Sequence, residues 1–222
     1  MTLPGPTPTL RLERRCWQSG ERIVCGIDEV GRGAWAGPAT VAAVVPPPAH
    51  LPGVRDSKIL TREQRDVAAT SVREWACAVG VGHASAYECD ELGMTAALRA
   101  AGRRALAQLA AQGFEPDRVI LDGNHDYLNL GARVTTVIKG DARSLAVAAA
   151  SCVAKVTRDC LMIEESEHYP PYAFESNVGY PAPIHKSALR GYGPSAIHRR
   201  SWIFMEGLNW GGLPPPPGRL FA

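Results

Sequence analysis

The chain has 222 residues, of which 45% are hydrophobic and 21% are charged, and its 24 Lys and Arg nearly balance 22 Asp and Glu to leave a net charge of +2. This composition is typical of a globular protein with a sizeable core and excludes fibrous or low-complexity chains. The apolar segments are too short or too often interrupted by proline to span a membrane, and residues 1–15 lack the continuous apolar region of a secretory signal. We therefore expect a cytoplasmic protein without membrane contact.

The two ends of the chain differ in composition from the part between them. Residues 1–20 are rich in proline and then in arginine, which predicts a flexible N-terminal extension. Residues 208–222 contain four consecutive prolines and predict a proline-rich C-terminal tail. Residues 21–207 are expected to form a single folded domain with a helical C-terminal part from about residue 166. The six cysteines have irregular spacings without a Cys-x-x-Cys motif, so core thiols are expected rather than zinc ligands or disulfides.

The hydrophobic pattern predicts alternating strands and helices. Three early strands joined by short loops, followed by strands separated by helices, predict an α/β fold whose mixed sheet is antiparallel first and parallel later. In the last long helix, one side is expected to be apolar (Cys152, Val156, Cys160 and Ile163) and another polar (Ser144, Ser151, Lys155 and Asp159). The predicted strands are 22–28, 39–45, 77–81, 119–121 and 134–138, and the predicted helices are 61–75, 92–112 and 145–165.

Acidic residues stand where three of the predicted strands meet loops. Asp28 and Glu29 end the first strand, Asp122 ends the fourth, and Asp141 lies between the fifth strand and the long helix. Ligands of such sheets gather beyond the carboxyl ends of the strands, and carboxylates without a His or Cys ligand set suit Mg²⁺ or Mn²⁺. Taken singly, each position also fits an ordinary turn or a helix N-terminus. Their recurrence favours a metal site.

Eight motifs between residues 22 and 205 resemble ribonuclease HII, the type 2 ribonuclease H family. Several motifs in the same order are far more specific than one short match. The motifs are Gly26-Ile27-Asp28-Glu29-Val30-Gly31-Arg32-Gly33, Asp56-Ser57-Lys58, Leu121-Asp122-Gly123-Asn124, Lys139-Gly140-Asp141, Ala148-Ala149-Ala150-Ser151, Ala154-Lys155-Val156-Thr157-Arg158-Asp159, Gly179-Tyr180 and His198-Arg199-Arg200-Ser201.

The resemblance implies a ribonuclease H-like α/β fold, a five-stranded mixed sheet flanked by helices, with residues 21–207 as the catalytic domain. It also implies a two-metal site for Mg²⁺ or Mn²⁺, in which the ions orient an attacking water and stabilise the leaving oxygen. The catalytic and metal-binding residues implied are Asp28, Glu29, Asp122 and Asp141.

The resemblance further implies which residues bind the substrate. The Gly31-Arg32-Gly33 segment would read the ribonucleotide, because a glycine backbone approaches a sugar closely and an arginine pairs with phosphate. The tyrosine matching Tyr180 packs on the neighbouring deoxyribose, although a buried or turn aromatic is the alternative for this position. Further substrate contacts are expected from Lys58, Arg200 and Ser201. Lys155 and Asp159 are interpreted as an i,i+4 pair and not as catalytic residues.

A basic segment near the C-terminus predicts contact with nucleic acid. Residues 176–205 contain no Asp or Glu, and a local positive field can bind a polyanion even when the whole chain is nearly neutral. A solvated helical face is the alternative. Asn177-Val178 precede Gly179-Tyr180 where the family often has a lysine, which is expected to weaken binding. The basic segment contains Lys186, Arg190, Arg199 and Arg200, with His185 and His198.

By resemblance, the expected activity is endonucleolytic hydrolysis of the RNA strand of RNA/DNA hybrids and cleavage 5′ to ribonucleotides embedded in duplex DNA, leaving 3′-hydroxyl and 5′-phosphate ends. The expected partners are these nucleic acids, and the expected state is a monomer. Leu220-Phe221 could dock on a sliding clamp, although a disordered end is favoured. Two alternatives stay open: another metal-dependent nuclease on the same fold, and a catalytically silent hybrid-binding protein.

Overall fold

The computed structural model describes residues 7–205, which form a five-stranded mixed sheet with helices on both faces. The strand order is β3-β2-β1-β4-β5. β1 pairs antiparallel with β2 and β2 antiparallel with β3, whereas β4 is parallel to β1 and β5 is parallel to β4. The predicted mixed sheet is confirmed. The strands are β1 (Val24–Val30), β2 (Ala39–Val45), β3 (Ala78–Ala84), β4 (Arg118–Asp122) and β5 (Val134–Val137).

Seven α-helices connect and follow the strands within the described residues. The helix expected over residues 92–112 is divided in two at Gly93, whose φ of 74° ends the first helix. Ser85 and Glu88 form a capping box that begins that first helix. The helices are α1 (Arg11–Gln18), α2 (Arg62–Trp75), α3 (Ala86–Leu92), α4 (Met94–Ala111), α5 (Leu145–Ser166), α6 (Phe174–Asn177) and α7 (Pro183–Tyr192). In residues 7–205 the structure contains no helix long and apolar enough to cross a bilayer.

The N-terminal segment is not a flexible extension over residues 11–18, because these residues form α1. Glu13 of this helix is buried, and its Oε1 accepts hydrogen bonds from the Ser144 hydroxyl at 2.6 Å and the Ala146 amide at 2.9 Å. A carboxylate at this point satisfies an amide in the first turn of α5. The tail expected at residues 208–222 lies outside the described residues.

The two faces of the sheet are covered by different long helices. α4 packs on β2 and β3, and α5 packs on β1 and β2 from the other side. Glycines allow these close approaches: a Cβ at Gly82 would stand 2.0 Å from the Ala101 carbonyl oxygen of α4, and one at Gly26 would stand 2.3 Å from the Ala146 carbonyl carbon of α5. The backbone of α5 therefore lies directly against the strand that carries Asp28.

The side of α5 expected to be apolar is only partly buried. Cys152 is buried, but Cys160 is exposed and Ile163 is half-buried, while Arg158 and Met162 are fully buried. The reason is that the second half of α5 packs against α6 and the loop before β2 rather than against the sheet. The six cysteines are all free thiols, and three of them are buried: Cys25, Cys89 and Cys152.

Candidate active site

The acidic residues are placed by strands whose ends share one edge of the sheet. Asp28 and Glu29 lie near the carboxyl end of β1, and Asp122 is the last residue of β4. Because β1 and β4 are parallel neighbours, these ends lie side by side. Asp141 belongs to a short 3₁₀ turn, Gly140–Ala142, between β5 and α5. Residues separated by more than a hundred positions thus meet at one edge.

Three of these four acids form a tight cluster. One carboxylate oxygen each from Asp28, Asp122 and Asp141 lies within 4.8 Å of the others. Glu29 lies beside this group rather than in it, because successive strand residues point to opposite faces. Its Oε1 is 3.6 Å from Arg32 Nη1, and its Oε2 is buried without a hydrogen bond within the described residues. We refer to Asp28, Asp122 and Asp141 as the aspartate cluster.

Backbone amides orient two of the clustered carboxylates. The Glu29 amide donates to Asp28 Oδ1 at 2.8 Å, and the Gly140 amide donates to Asp122 Oδ1 at 2.6 Å. A Cβ at Gly140 would stand 3.2 Å from Asp122 Oδ1, so glycine keeps this amide close to the carboxylate. Lys139 adopts a left-handed φ of 54° to begin the turn. The loop between β5 and α5 therefore presents its backbone to Asp122 as well as supplying Asp141.

Lys58 supplies a positive charge at the rim of the cluster. Its Nζ lies 3.6 Å from Asp141 Oδ2, although 75% of the Lys58 side chain is exposed. Asp56 begins the short turn that carries Lys58 and accepts its amide hydrogen bond at 2.9 Å. Partial burial opposes the charged form of Lys58, but Asp28, Asp56 and Asp141 outweigh it and raise the pKa of its amine. Lys58 is thus held charged beside the carboxylates.

The carboxyl groups resist ionisation together. Burial raises the pKa of Asp28 to about 8, and the neighbouring charges of Glu29 and Asp122 add to the effect. Burial is also the main cause that raises the pKa of Glu29 and of Asp141, with Asp122 contributing to both. A divalent cation would relieve this repulsion. The donor set is entirely oxygen, and Glu29 Oε2 is a buried acceptor without a partner in the described residues, so the site fits Mg²⁺ or Mn²⁺.

A loop over residues 31–38 follows β1 and lies beside the cluster; we call it the glycine loop. Arg32 and Gly33 are exposed, and a Cβ added at Gly33 would meet no atom within 4 Å, so the surface there is open. Gly31 is different. With φ at +84°, its missing Cβ would stand 2.3 Å from Arg158 Nε, so this glycine makes room for a protein side chain rather than for a ligand.

The glycine loop contacts the turn that carries Tyr180. The amides of Trp35 and Ala36 both donate to the Gly179 carbonyl, at 2.8 and 3.2 Å. Tyr180 is half-buried, with Lys155 Nζ 5.7 Å and Arg158 Cζ 5.4 Å from the centre of its ring. The two segments predicted to bind substrate are therefore joined at one surface.

Arg200 and Ser201 lie at the far side of this surface and are held by α3. Both of their amides donate to the Asp90 carboxylate, at 2.6 and 3.1 Å, and the Ser201 hydroxyl donates to it at 2.6 Å. Asp90 was not singled out in the sequence because one acid on a predicted helix carries no distinguishing signal. Its carboxylate now explains how the segment after α7 is attached to the domain.

The comparisons with known proteins decide the family. The family model described as Ribonuclease HII matches residues 25–205. The chain belongs to the ribonuclease HII family. Ribonuclease HII of Streptomyces avermitilis is 48% identical over 208 residues, covering 93% of this chain and 88% of the relative. That of Synechococcus sp. (strain JA-3-3Ab) is 46% identical over 210 residues and 93% of each chain is covered.

The solved structures agree with this membership. Ribonuclease H2 of Pyrococcus horikoshii OT3 superposes with a TM-score of 0.67 at 26% identity, covering 82% of this chain and 95% of that one. The expected ribonuclease H-like fold and the expectation of a ribonuclease H enzyme are both confirmed.

One departure from the ribonuclease HII pattern has a structural explanation. Asn177, at one of the positions where a lysine was expected, is buried, and its Nδ2 donates to the Tyr172 and Ala173 carbonyls at 2.7 Å. Its Oδ1 accepts the Gly179 amide at 2.9 Å. Asn177 therefore shapes the turn before Tyr180 and is turned away from any phosphate.

The basic segment of this ribonuclease HII relative is less exposed than its sequence indicates. Arg199, His185 and His198 are buried. Burial lowers the pKa of both histidines, that of His198 to about 3, so neither carries charge at neutral pH. Of the cations predicted to form a nucleic-acid surface, Lys186 and Arg190 are the exposed ones.

Two residues gained a role only from the structure. Arg158 stood in a motif without an assigned function, yet it is fully buried behind the glycine loop. Tyr127 is buried near Glu29, and its hydroxyl has no hydrogen bond within residues 7–205 at ordinary distance. Burial and the charges of Glu29 and Asp28 raise the pKa of this phenol, so it stays protonated and able to donate. Lys155 and Asp159 form the expected i,i+4 pair, with Nζ 2.8 Å from Oδ1.

Proposed function

We propose that this protein is an endonuclease that hydrolyses the RNA strand of RNA/DNA hybrids and cuts 5′ to ribonucleotides embedded in duplex DNA. The observation that carries the proposal is the aspartate cluster at the sheet edge, directly beside the open glycine loop. A phosphodiester lying over the cluster would place its sugar near Gly33. The products would carry a 3′-hydroxyl and a 5′-phosphate.

The aspartate cluster and Glu29 would hold two divalent cations, Mg²⁺ or Mn²⁺. Ions bound there would activate a water nucleophile and stabilise the leaving oxygen of the phosphodiester. The amides of Glu29 and Gly140 keep the carboxylates of Asp28 and Asp122 oriented whether or not cations are present. Lys58, whose Nζ lies near Asp141, is placed to contact a phosphate at the rim of the site.

Selection of RNA requires that the protein sense a 2′-hydroxyl, because this group distinguishes the two sugars. Gly33 offers an uncovered backbone at the surface, and the exposed Arg32 guanidinium can pair with phosphate. Tyr180, joined to the glycine loop through Gly179, would pack against the adjacent deoxyribose. Arg200 and Ser201 would contact the substrate from the far side of this surface.

The test compares three duplexes of one sequence: all DNA, DNA with a single ribonucleotide, and a full RNA/DNA hybrid. Each is incubated with catalytic amounts of protein in Mg²⁺, in Mn²⁺ or in chelator, and the cut position and end groups are determined. We expect cation-dependent cleavage of the two RNA-containing duplexes, 5′ to the single ribonucleotide. Cleavage of the all-DNA duplex would indicate a nuclease with another target. Binding without cleavage in either ion would indicate a silent hybrid-binding protein. The monomeric state, the cytoplasmic location and the sliding-clamp contact stay predictions.

A further inference from the structure

Two fully buried arginines lie directly behind the glycine loop. Arg158 of α5 and Arg199, in the segment after α7, both have 0% of their surface exposed. Buried cations ordinarily pair with a carboxylate. Among residues 7–205, the structure pairs neither of these two with an acid. Their guanidinium groups bind backbone carbonyls instead, so the protein bears the cost of burying two charges in order to hold a loop.

The carbonyls that they bind belong to the two segments proposed to contact substrate. Arg158 donates to the carbonyls of Pro38 and Ala36, both at 2.9 Å, and to that of Val178 at 2.8 Å. One side chain therefore ties the end of the glycine loop to the turn before Tyr180. Arg199 donates to the Arg32 carbonyl at 3.1 Å and to the Gly37 carbonyl at 3.2 and 3.3 Å.

Glycines make room for this arrangement. A Cβ at Gly31 would stand 2.3 Å from Arg158 Nε, and one at Gly37 would stand 2.1 Å from Met162 Sδ and 3.3 Å from Arg158 Nη2. Both residues have left-handed φ angles, +84° and +82°, that favour glycine. The glycine loop is thus built around the guanidinium of Arg158.

The hydrogen bond to the Arg32 carbonyl has a consequence on the opposite side of the loop. In a trans peptide the carbonyl and the following amide point in opposite directions. Because Arg199 holds the Arg32 carbonyl inward, the Gly33 amide faces outward, where this amide donates no hydrogen bond to another described residue. The open space beside Gly33 leaves that donor accessible to a ligand.

We propose that Arg158 and Arg199 are positioning residues that lock the glycine loop and the Tyr180 turn into one rigid unit, with the Gly33 amide aimed at the substrate sugar. This inference rests on the proposed function for the identity of the substrate. The two arginines act through the backbone and touch neither the phosphate nor the aspartate cluster. They set the selection of a single ribonucleotide rather than the cleavage chemistry.

The test uses the variants Arg158→Lys and Arg199→Lys, which keep the charge but lose the planar fork that binds several carbonyls. Arg118→Lys is the matched control, because Arg118 also binds a carboxylate and a carbonyl but lies at the start of β4, at the opposite edge from the cluster. We expect cleavage of the one-ribonucleotide duplex to fall by about 10²-fold, the size of loss that follows a displacement of about 1 Å. The full hybrid should lose much less, because a loosened loop finds a 2′-hydroxyl at every register.

Two further readouts separate this inference from the proposed function. Hydrogen exchange of amides 31–38, measured without substrate, should be faster in both variants and unchanged in Arg118→Lys. Mn²⁺ affinity measured by calorimetry should equal that of the unaltered protein. Equal losses on both duplexes, unchanged loop exchange, or a variant that no longer folds would overturn the positioning role. Absence of cleavage by the unaltered protein would instead contradict the proposed function, and the exchange result would still decide the rigidity of the loop.

Discussion

Asp28 lies where a charge is hardest to keep. Its carboxyl group is buried under α5, next to two other acids, and its pKa is raised to about 8 from an ordinary value of 3.8. The folded protein without cations therefore holds a proton that the unfolded chain releases at a much lower pH. A divalent cation displaces that proton, which couples metal binding to pH.

This coupling predicts how stability changes with pH. Between about pH 4 and about pH 8 the folded state binds more protons at Asp28 than the unfolded state, so the free energy of unfolding falls as pH rises. We expect the melting temperature of chelated protein to fall over this range and the fall to be smaller in Mg²⁺. Asp28→Asn should flatten the dependence in chelator. A melting temperature of the chelated protein that rises with pH, or an Asn variant with the same slope, would contradict the assignment to Asp28.

Asp122 offers a complementary substitution within the aspartate cluster. Two charges about 4 Å apart repel by about 4 kcal/mol at an effective dielectric near 20, so removing one relieves strain in the cation-free protein. In Asp122→Asn, the amide oxygen of the new side chain would still accept a hydrogen bond from the Gly140 amide. We expect this substitution to abolish cleavage while the metal-free melting temperature, measured by calorimetry, stays equal or rises. A clear fall in that temperature for the folded variant would assign Asp122 a structural role instead.

At the scale of elements, α1 acts as a clamp on α5. Glu13 contributes a buried carboxyl group to the first turn of a 22-residue helix whose next residues pack against β1, the strand of Asp28. Leu10, at the start of α1, is also buried, in the same apolar cluster as Leu145. The clamp therefore connects the N-terminal segment to the loop that carries Asp141.

We expect Glu13→Ala to lower the free energy of unfolding by about 2 kcal/mol, because the Ser144 hydroxyl and the Ala146 amide lose a charged acceptor. Glu13→Gln should cost less, since its amide oxygen still accepts. Urea denaturation measures both, and Arg14→Ala, on the exposed side of the same helix, is the control. Equal stability of Glu13→Ala and the unaltered protein would favour the flexible extension that the composition of residues 1–20 indicates.

The elements that the sequence predicts well are those whose signal is local. β2 has the expected bounds, Ala39–Val45, because seven consecutive buried apolar residues can be recognised without knowledge of their neighbours. α1 was missed because the group that buries Glu13 lies 131 residues away along the chain. The aspartates were found through their positions at strand ends. The role of Arg158 was not, because its partners are carbonyls, and every residue has one.

At the scale of the whole molecule, the net charge of +2 conceals an uneven distribution. The acids gather at the sheet edge, and Glu and Asp are absent from residues 176–205. Since Arg199, His185 and His198 are buried, the field that this segment presents to solvent comes chiefly from exposed cations on α7. One of them, Lys186, has its Nζ 5.5 Å from the ring of Trp35 in the glycine loop, which places it beside the proposed substrate surface.

We therefore expect Lys186→Ala and Arg190→Ala to weaken hybrid binding, and the removal of each cation that binds a phosphate should reduce the slope of log affinity against log salt by about 0.9. Anisotropy titrations at several salt concentrations, in an Asp122→Asn background that prevents cleavage, measure both quantities. Arg103→Ala, exposed on α4 across the sheet from α5, is the matched control. If the slope changes for Arg103 and not for the α7 cations, duplex lies on the other face of the sheet. In that case the glycine loop would not be the substrate surface, because it stands on the side of α7 and the buried Arg199.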